Sequence, residues 1–156
     1  MIILLLLLVS SASIPHTNAA AIDSPMESGL AVAKTLLNAM NDAVLGKHID
    51  NFLSYQAQNY RFEFCYKSGD KVEMEDYLKK SSYLKQVMES THTVIEPIRM
   101  LNKEGTGQVF EFDYEGSMSL FSKKVDKTKG KMRFLLEDDY FRLLWWQKDC
   151  PANRLY

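Results

Sequence analysis

Three histidines are the side chains in this sequence best suited to proton transfer near neutral pH, and they stand at positions 16, 48 and 92. His16 lies in an apolar amino-terminal segment, and His48 follows a predicted helix, where we expect it to be exposed. His92 stands between Thr91 and Thr93 at the start of a predicted strand. There it could point into a cavity and act as a general base with the help of a carboxylate.

Asp113 is a separate candidate, the one carboxylate that could act in catalysis. It alternates with Glu111 and Glu115 along a predicted strand, so the three acids share one face of that strand. A strand face that carries three acids is normally the solvent face. The opposite face, which begins with Phe110, is then the interior, and this pattern argues against a catalytic Asp113.

No residue pattern favours a metal ion or another cofactor. The chain has no His-x-x-x-His motif, no clustered Cys and His residues, and no calcium-loop spacing. The acidic run Glu137-Asp138-Asp139 fits a solvated hairpin turn better than a cation site. We therefore expect neither a metal nor a cofactor.

The charge balance excludes an electrostatic case for nucleic acid. Lys and Arg total 19 and Asp and Glu total 20, which gives a net charge of -1. Nucleic-acid binding needs a basic stripe, and a near-neutral chain does not indicate one. Its length and its 46% of hydrophobic residues suit one soluble domain with a real core.

The amino terminus is typical of a cleavable export signal. Residues 2–9 are an unbroken apolar run, and small residues follow. The run is too short to cross a bilayer, which takes about 20 residues. Cleavage is expected after Ala12 or after one of Ala19–Ala21, which leaves a leader of about 1–20 and one secreted domain, 21–156. The alternative is a buried amino-terminal strand or helix. No second apolar stretch could anchor the chain, so no membrane association is expected once the leader is removed.

Two cysteines, Cys65 and Cys150, fall in the mature part of the chain. In an exported protein an even pair favours one disulfide, and two separate buried thiols are the alternative. Such a bridge would stabilise the fold by about 4–5 kcal/mol in the chain-entropy model. No histidine stands near either cysteine in the sequence, so neither is predicted to be a catalytic nucleophile.

The hydrophobic periodicity predicts helices first and strands later. Apolar residues at three- and four-residue steps predict a long helix over 30–44, with Gly46 as its C-cap. Shorter helices are predicted over 49–57 and 73–88, and strands over 60–66, 91–101, 108–121, 131–136 and 140–147. A turn is predicted at 68–70 and a charged loop at 122–129. Within the strands, Pro97 indicates an edge strand or a bulge, and Gly116 indicates a bend. This order predicts the α+β class, with a curved antiparallel sheet around the first helix.

The last predicted strand is apolar on both faces. Trp145 and Trp146 are adjacent, so their side chains point to opposite faces. One of them can be core, and the other must lie in a pocket, in an interface or at the surface. A homodimer that packs sheet to sheet would cover an apolar outer face.

The element order resembles the nuclear transport factor 2-like (cystatin-like cone) superfamily. The likeness rests on "AKTLLNAMNDAVLGKHIDNFLSYQAQNYRFEFC" and "VEMEDYL", and it covers about Gly29 to Cys150. More narrowly, the chain resembles small secreted proteins of nematodes, in which a strand with aromatic residues carries a Cys and the last strand often ends in another. Proteins of this superfamily include enzymes, pocket binders and dimerisation modules, so the resemblance implies a fold rather than one activity.

The resemblance implies three possible roles. The first, which we expect, is a secreted, non-catalytic domain that binds a small apolar ligand or a protein partner. The second is an isomerase-like or dehydratase-like enzyme that uses His92 or Asp113 in its pocket, and the third is a structural homodimer. Aromatic residues from the predicted strands are expected to line the pocket: Phe62, Phe64, Phe110, Phe112, Tyr114 and Trp145.

Overall fold

Three α-helices, one 3-10 turn and six strands make up the described part of the chain. The computed structural model describes residues 24–104, 107–138 and 140–150, so the predicted leader and its cleavage sites lie outside the described residues. The helices are α1 (Pro25–Val44), α2 (Ile49–Ser54) and α3 (Lys71–Lys80), and the 3-10 turn spans Leu84–Gln86. The strands are β1 (Gln56–Phe64), β2 (Lys67–Gly69), β3 (Val87–Glu104), β4 (Gly107–Leu120), β5 (Val125–Glu137) and β6 (Tyr140–Lys148).

The long helix α1 begins and ends as its sequence dictates. The Glu27 amide donates to the Ser24 hydroxyl at 3.3 Å, and the Ser24 amide donates to the Glu27 carboxylate at 2.8 Å. This reciprocal cap satisfies two amides that would otherwise lack partners. Gly46 follows the helix with a φ of 71°, a conformation that glycine adopts readily. The predicted helix over 30–44 and its glycine cap are therefore confirmed, with about one further turn at the start.

A curved six-stranded sheet covers the apolar face of α1. The strand order is β2-β1-β6-β5-β4-β3, and every pairing is antiparallel except that of β1 with β6. β3 is an edge strand, and its pairing with β4 is irregular between Ile95 and Arg99, around Pro97. The expectation of an edge or a bulge at this proline is confirmed in both respects. Helix and sheet together form the predicted α+β cone.

One hydrophobic core lies between α1 and the inner face of the sheet. Its largest fully buried side chains are Phe52, Tyr60, Phe62, Phe110, Phe112, Tyr114, Phe134, Leu36, Leu37, Met40, Met74 and Met132. The disulfide between Cys65 and Cys150 joins the end of β1 to the end of β6, with their Cα atoms 5.2 Å apart. The predicted pairing of the two cysteines is therefore confirmed.

Several boundaries differ from the sequence-based expectation. The second helix ends at Ser54 instead of 57, and β1 begins at Gln56 instead of 60. The turn expected at 68–70 overlaps the short strand β2, and β3 begins at Val87 instead of 91. The third helix ends at Lys80 instead of continuing to 88, because Ser81 adopts an extended conformation and Val87 already pairs with β4. The charged segment 122–129 is only partly a loop, since β5 begins at Val125. The lysines of this segment face outward while Thr128 faces inward, so the charge of one strand face resembled that of a loop.

Candidate functional site

A small cavity lies between the carboxyl-terminal half of α1 and the inner face of the sheet. Its volume is about 20 Å³, roughly the space that one water molecule needs. Most of its wall is apolar or aromatic, and its polar wall residues come from β3, β5 and β6. The lining residues are Met40, Val44, Tyr77, Leu84, His92, Tyr114, Met118, Thr128, Trp146 and Lys148.

His92 is held by hydrogen bonds at both ring nitrogens. Its Nδ1 lies 2.7 Å from the Asn41 side-chain oxygen, which also accepts a hydrogen bond from the Ser90 hydroxyl at 2.9 Å. A carbonyl oxygen only accepts, so Nδ1 carries the proton, and Nε2 accepts from the Thr128 hydroxyl at 2.5 Å. Helix α1 and strands β3 and β5 are thereby joined through one imidazole ring.

A glycine gives the ring the space that it needs. His92, Gly116 and Thr128 stand in one row across β3, β4 and β5. A Cβ atom at Gly116 would lie 2.7 Å from His92 Cδ2 and would also meet the backbone of Thr91 and His92. Gly116 causes no irregularity in the pairing of β4 with β5. It therefore marks a close approach between neighbouring groups, and the bend expected from the sequence stays a prediction.

Burial sets the protonation state of this histidine. Only 8% of His92 is exposed, and this burial, with a smaller effect from the positive charge of Lys148, lowers the pKa of His92 to about 4. The ring is therefore neutral at physiological pH. Because Nε2 already accepts from Thr128, the nitrogen that would have to take a proton from a substrate is occupied.

A second row of residues across the inner face of the sheet also places a large side chain beside a glycine. The Trp146 indole donates to the Tyr114 hydroxyl at 2.7 Å, and this hydroxyl donates to the Gln147 carbonyl at 3.2 Å. Tyr114 crosses Gly130, where a Cβ atom would lie 2.5 Å from the tyrosine oxygen. Burial raises the pKa of Tyr114, so its proton stays in place. The polar groups at the cavity floor therefore already have hydrogen-bond partners.

A wider cleft lies on the other side of His92. Its volume is about 280 Å³, and it runs between α1 and β3, lined by Lys34, Leu37, Asn38, His92, Thr93 and Val94. His92 belongs to the walls of both spaces, so the cleft and the cavity adjoin each other at this residue.

Tyr60 is a further buried polar group of the interior. It is fully buried, and among the described residues its hydroxyl has no hydrogen-bond partner. Burial, followed by the effect of the neighbouring Tyr114, raises the pKa of Tyr60 well above its ordinary value. A polar atom that entered the interior could satisfy this donor.

Asp113, the second candidate for catalysis, faces away from the cavity. On the outer face of the sheet it accepts a hydrogen bond from Arg99 at 2.8 Å, and Lys131 lies 3.9 Å from it. The hydrogen bond from Arg99 holds the pKa of Asp113 below its ordinary value, so it is ionised at neutral pH. The structure therefore does not bring Asp113 and His92 into one site, in agreement with the solvent face inferred from the acidic alternation.

Of the six aromatic residues expected in the pocket, Tyr114 lines the cavity. Phe62, Phe110 and Phe112 are fully buried core residues, and Phe64 packs edge-on against Trp146 at 4.7 Å. None of these four lines the cavity.

Trp145 is the fifth member of the expected set that does not line the cavity. It lies on the outer face, where Arg133 stacks over its ring at 4.6 Å and Glu63 accepts from its indole at 3.3 Å. In β6, Trp145 pairs with Arg133 while Leu143 pairs with the next residue of β5, so Leu144 is an extra residue. This irregularity breaks the alternation, and Trp146 takes the inward position.

Several residues of the site were not predicted from the sequence. Asn41 was assigned to the polar side of α1, and Thr128 to a charged loop. The available signal was the pair of glycines at 116 and 130, both in strands, since a glycine in a strand often marks a close approach of another group. Among residues 24–104, 107–138 and 140–150, no group of three or more His, Cys, Asp or Glu side chains could hold a metal ion.

Comparison with known proteins identifies the fold. The structure is similar to a nuclear transport factor 2-like superfamily protein from Salmonella enterica serovar Typhimurium, with a TM-score of 0.60, 12% identity, and coverage of 83% of this chain and 92% of that one. It is also similar to the beta subunit of benzoate 1,2-dioxygenase from Burkholderia mallei (TM-score 0.59, 13% identity, 81% and 93% covered). A ketosteroid isomerase-like protein from Erwinia carotovora atroseptica matches with a TM-score of 0.54, 14% identity, and 78% and 93% covered.

The chain therefore has the nuclear transport factor 2-like cone fold. No protein-family model matches its sequence, and no curated protein matches it in sequence. No helix in the described part of the chain is long and apolar enough to cross a membrane. At identities this low the likeness establishes the fold, and the function has to be argued from the site.

Proposed function

We propose that this protein is a secreted, non-catalytic cone domain that binds a small, mostly apolar ligand between α1 and the sheet. The observation that carries the proposal is the neutral His92, whose two nitrogens are engaged by Asn41 and Thr128 inside a largely apolar wall. Such a wall offers van der Waals contacts and a few fixed polar groups, as small-molecule sites commonly do.

The ligand has to enlarge the cavity as it enters. A space of about 20 Å³ holds no organic molecule, but Met40, Leu84 and Met118 line it. Unbranched methionine side chains adapt readily to a new occupant. The adjoining cleft of about 280 Å³ supplies a route past His92. Together these spaces suit a ligand near the small end of the usual range of about 300–1,000 Å³ for ligand pockets.

The two tryptophans provide a matched test of this binding. The Trp145→Phe variant keeps only Trp146, which lines the cavity, and the Trp146→Phe variant keeps only Trp145 on the outer face. Native mass spectrometry of the secreted protein would name a co-purifying ligand, which is then titrated into both variants. We expect the fluorescence of Trp146 to change and that of Trp145 to stay constant. A ligand reported only by Trp145, or no bound ligand together with no response to small apolar probes, would overturn the proposal.

An isomerase-like or dehydratase-like activity is the alternative function. It would require His92 to accept a proton, and burial and the Thr128 hydroxyl both oppose this. The neighbour from Erwinia carotovora is described as ketosteroid isomerase-like, which is the reason to keep the alternative. Turnover of a ketosteroid that is lost in a His92→Gln variant would favour the enzyme over the binding protein.

Secretion forms part of the proposal and has its own test. The apolar run at 2–9 and the small residues after it support a cleaved leader. Expression in a secreting eukaryotic host followed by mass spectrometry of the medium should give a new amino terminus after Ala12 or after one of Ala19–Ala21. An intact Met1 terminus on protein that stays inside the cell would contradict this.

A further inference from the structure

The hairpin between β4 and β5 ends in a tightly held tip. The Leu120 amide donates to the Lys124 carbonyl at 3.0 Å, and the Lys123 amide donates to the Leu120 carbonyl at 2.9 Å. The Phe121 amide donates to the Gln86 carbonyl at 3.0 Å, which fixes the tip against the 3-10 turn. Although its backbone is fixed in this way, the Phe121 side chain is 66% exposed. An aromatic ring is therefore presented to solvent on a rigid support.

Two further apolar side chains flank this ring. Met88 is 55% exposed and Val125 is 56% exposed. Met88 stands in an irregularity of β3 beside the end of β4, and Val125 pairs with Ser119 on the other side of the same strand end. Single exposed apolar residues are ordinary, but three near one hairpin end form an exposed apolar patch.

Lysines surround this patch. Lys85, Lys123, Lys124 and Lys127 are all exposed. Among the described residues, the carboxylates at this end are those of Asp126, which lies 3.1 Å from Lys124, and Glu89, which accepts from the Ser119 hydroxyl at 3.3 Å. Four lysines against two carboxylates leave an excess of positive charge here, while the whole chain carries -1. We call Met88, Phe121, Val125 and the four lysines the hairpin-tip patch.

We propose that the hairpin-tip patch docks on a membrane surface that contains anionic lipids, with Phe121 at the level of the headgroups. Aromatic rings partition favourably to the membrane interface, and lysines near an anionic leaflet are attracted by its negative potential. A stable protein interface normally buries about 800 Å² on each partner. A hairpin tip that exposes three apolar side chains suits shallow insertion better than a contact of that size. The docking is reversible, because it involves one short apolar patch. It goes beyond the expectation of no membrane association, which considered only segments long enough to cross a bilayer.

The hairpin-tip patch adjoins the cavity wall. Phe121 follows Met118 by three residues, and its amide binds Gln86, which follows Leu84 by two. Met118 and Leu84 both line the cavity. If the proposed ligand binding is correct, docking brings this wall close to the lipid, where an apolar ligand is concentrated. This last step alone rests on the proposed function, since the docking itself requires only the patch.

Vesicle sedimentation tests the docking directly. The secreted, processed protein is mixed with phosphatidylcholine vesicles with or without phosphatidylserine, at low and at high ionic strength. We expect binding to vesicles with phosphatidylserine at low salt, and its loss at high salt. Phe121→Ser should weaken the partition roughly tenfold. Lys123→Asn should weaken it about fivefold, and asparagine tolerates the φ of 60° at this position.

Matched controls separate the patch from general stickiness. Tyr66→Ser removes an aromatic ring that is 69% exposed at another corner of the fold, and Lys131→Asn removes a charge from the outer face of the sheet. Both should bind like the unaltered protein. Equal binding to neutral and anionic vesicles, or unchanged binding of both Phe121→Ser and Lys123→Asn, would overturn the proposal. So would a Phe121→Ser effect confined to the oligomeric state. The ligand titration with the two tryptophan variants has its own readout, so the two proposals can fail separately.

Discussion

At the scale of single residues, His92 links three elements while remaining uncharged. Its ring joins Asn41 of α1 to Thr128 of β5 from a position in β3. A buried hydrogen-bond network stabilises the fold when each of its polar groups has a partner, because an unpaired polar group in the interior would destabilise it. The same feature that makes His92 stand out in the sequence therefore serves the packing of the cone.

The low pKa of His92 predicts a loss of stability in mild acid. In the unfolded chain a histidine takes up a proton near pH 6.5, whereas folded His92 does so only near pH 4. As pH falls below about 6.5, the unfolded state binds a proton that the folded state does not, so the penalty grows until about pH 4. There it amounts to roughly 3 kcal/mol. Urea unfolding between pH 7 and pH 5, before most carboxylates titrate, measures this slope.

A His92→Gln variant is the control for that slope. The charged or titratable groups that line the spaces beside His92 are Lys34, Tyr77, Tyr114 and Lys148. None of these is a residue type that ordinarily titrates between about pH 5 and 7. The variant should be less stable at pH 7 but should lose the extra decline towards pH 5. An equal decline in both proteins would show that another group causes it.

Gly116 predicts a second residue-level effect. In Gly116→Ala the new methyl group would meet backbone atoms of Thr91 and His92, which have little freedom to move. We expect a loss of about 1–3 kcal/mol in the free energy of unfolding. Gly46→Asn is the control, because no atom lies within 4 Å of a Cβ atom there and asparagine tolerates its φ of 71°. Equal losses in the two variants would contradict the close approach at Gly116.

The sequence alone identified some residues of the site and missed others. His92 was selected because of its residue type, and the outward position of Asp113 followed from simple alternation. Asn41 and Thr128 were missed because their role depends on three elements that meet only in the folded chain. Trp145 was assigned to the wrong face because one extra residue in β6, Leu144, shifts the alternation. No local pattern announces such an extra residue in an otherwise regular strand.

At the scale of elements, the disulfide fixes the ends of two neighbouring strands. Cys65 follows β1 and Cys150 follows β6, and 85 positions separate them in the chain. β1 and β6 are the pair of strands that run parallel. The disulfide therefore holds together two parallel strands that no short connection joins.

Replacing both cysteines should be costly. For a loop of this length the Cys65→Ser/Cys150→Ser double variant should lose about 4–5 kcal/mol in the chain-entropy model. Urea unfolding of this variant and of the reduced parent protein gives the value. Free thiols detected by mass spectrometry in the secreted protein, or an unchanged unfolding midpoint after reduction, would contradict the stabilising bridge.

Most elements were foreseen from periodicity, and the errors have common causes. The long helix was predictable because its apolar residues recur at helical spacing and because Ser24 and Gly46 suit its ends. The start of β5 at Val125 was missed because its outward lysines mask the inward Thr128. The 3-10 turn Leu84–Gln86 was merged with α3, since a short apolar step fits either structure.

At the scale of the whole molecule, the outer face of the sheet is the surface on which a homodimer would form. A row of side chains crosses it from Arg99 through Glu111 to Arg133, which stacks over Trp145. Burial by itself would raise the pKa of Glu111, but the hydrogen bonds from Arg133 and Arg99 outweigh it and lower that pKa. These charges are already paired within one chain, so the face requires no partner to satisfy them.

Light scattering decides whether this face is an interface. We expect a homodimer, if one forms at micromolar concentration, to use the exposed surface around Trp145. Arg133→Glu would place a second acid beside Glu111, and it should convert such a dimer to monomer. Lys34→Glu on α1 makes the same change of charge elsewhere and should have no effect. A dimer that survives Arg133→Glu would assign the contact to another surface.

The position of β6 in the sheet has a consequence for how the protein is made. This strand lies between β1 and β5, although it is synthesised after both of them. Until β6 leaves the ribosome, β1 and β2 have no place to dock, and the sheet is open through its middle. Pairing of strands so distant in the chain is also intrinsically slow. We therefore expect the sheet to close only after β6 has been synthesised.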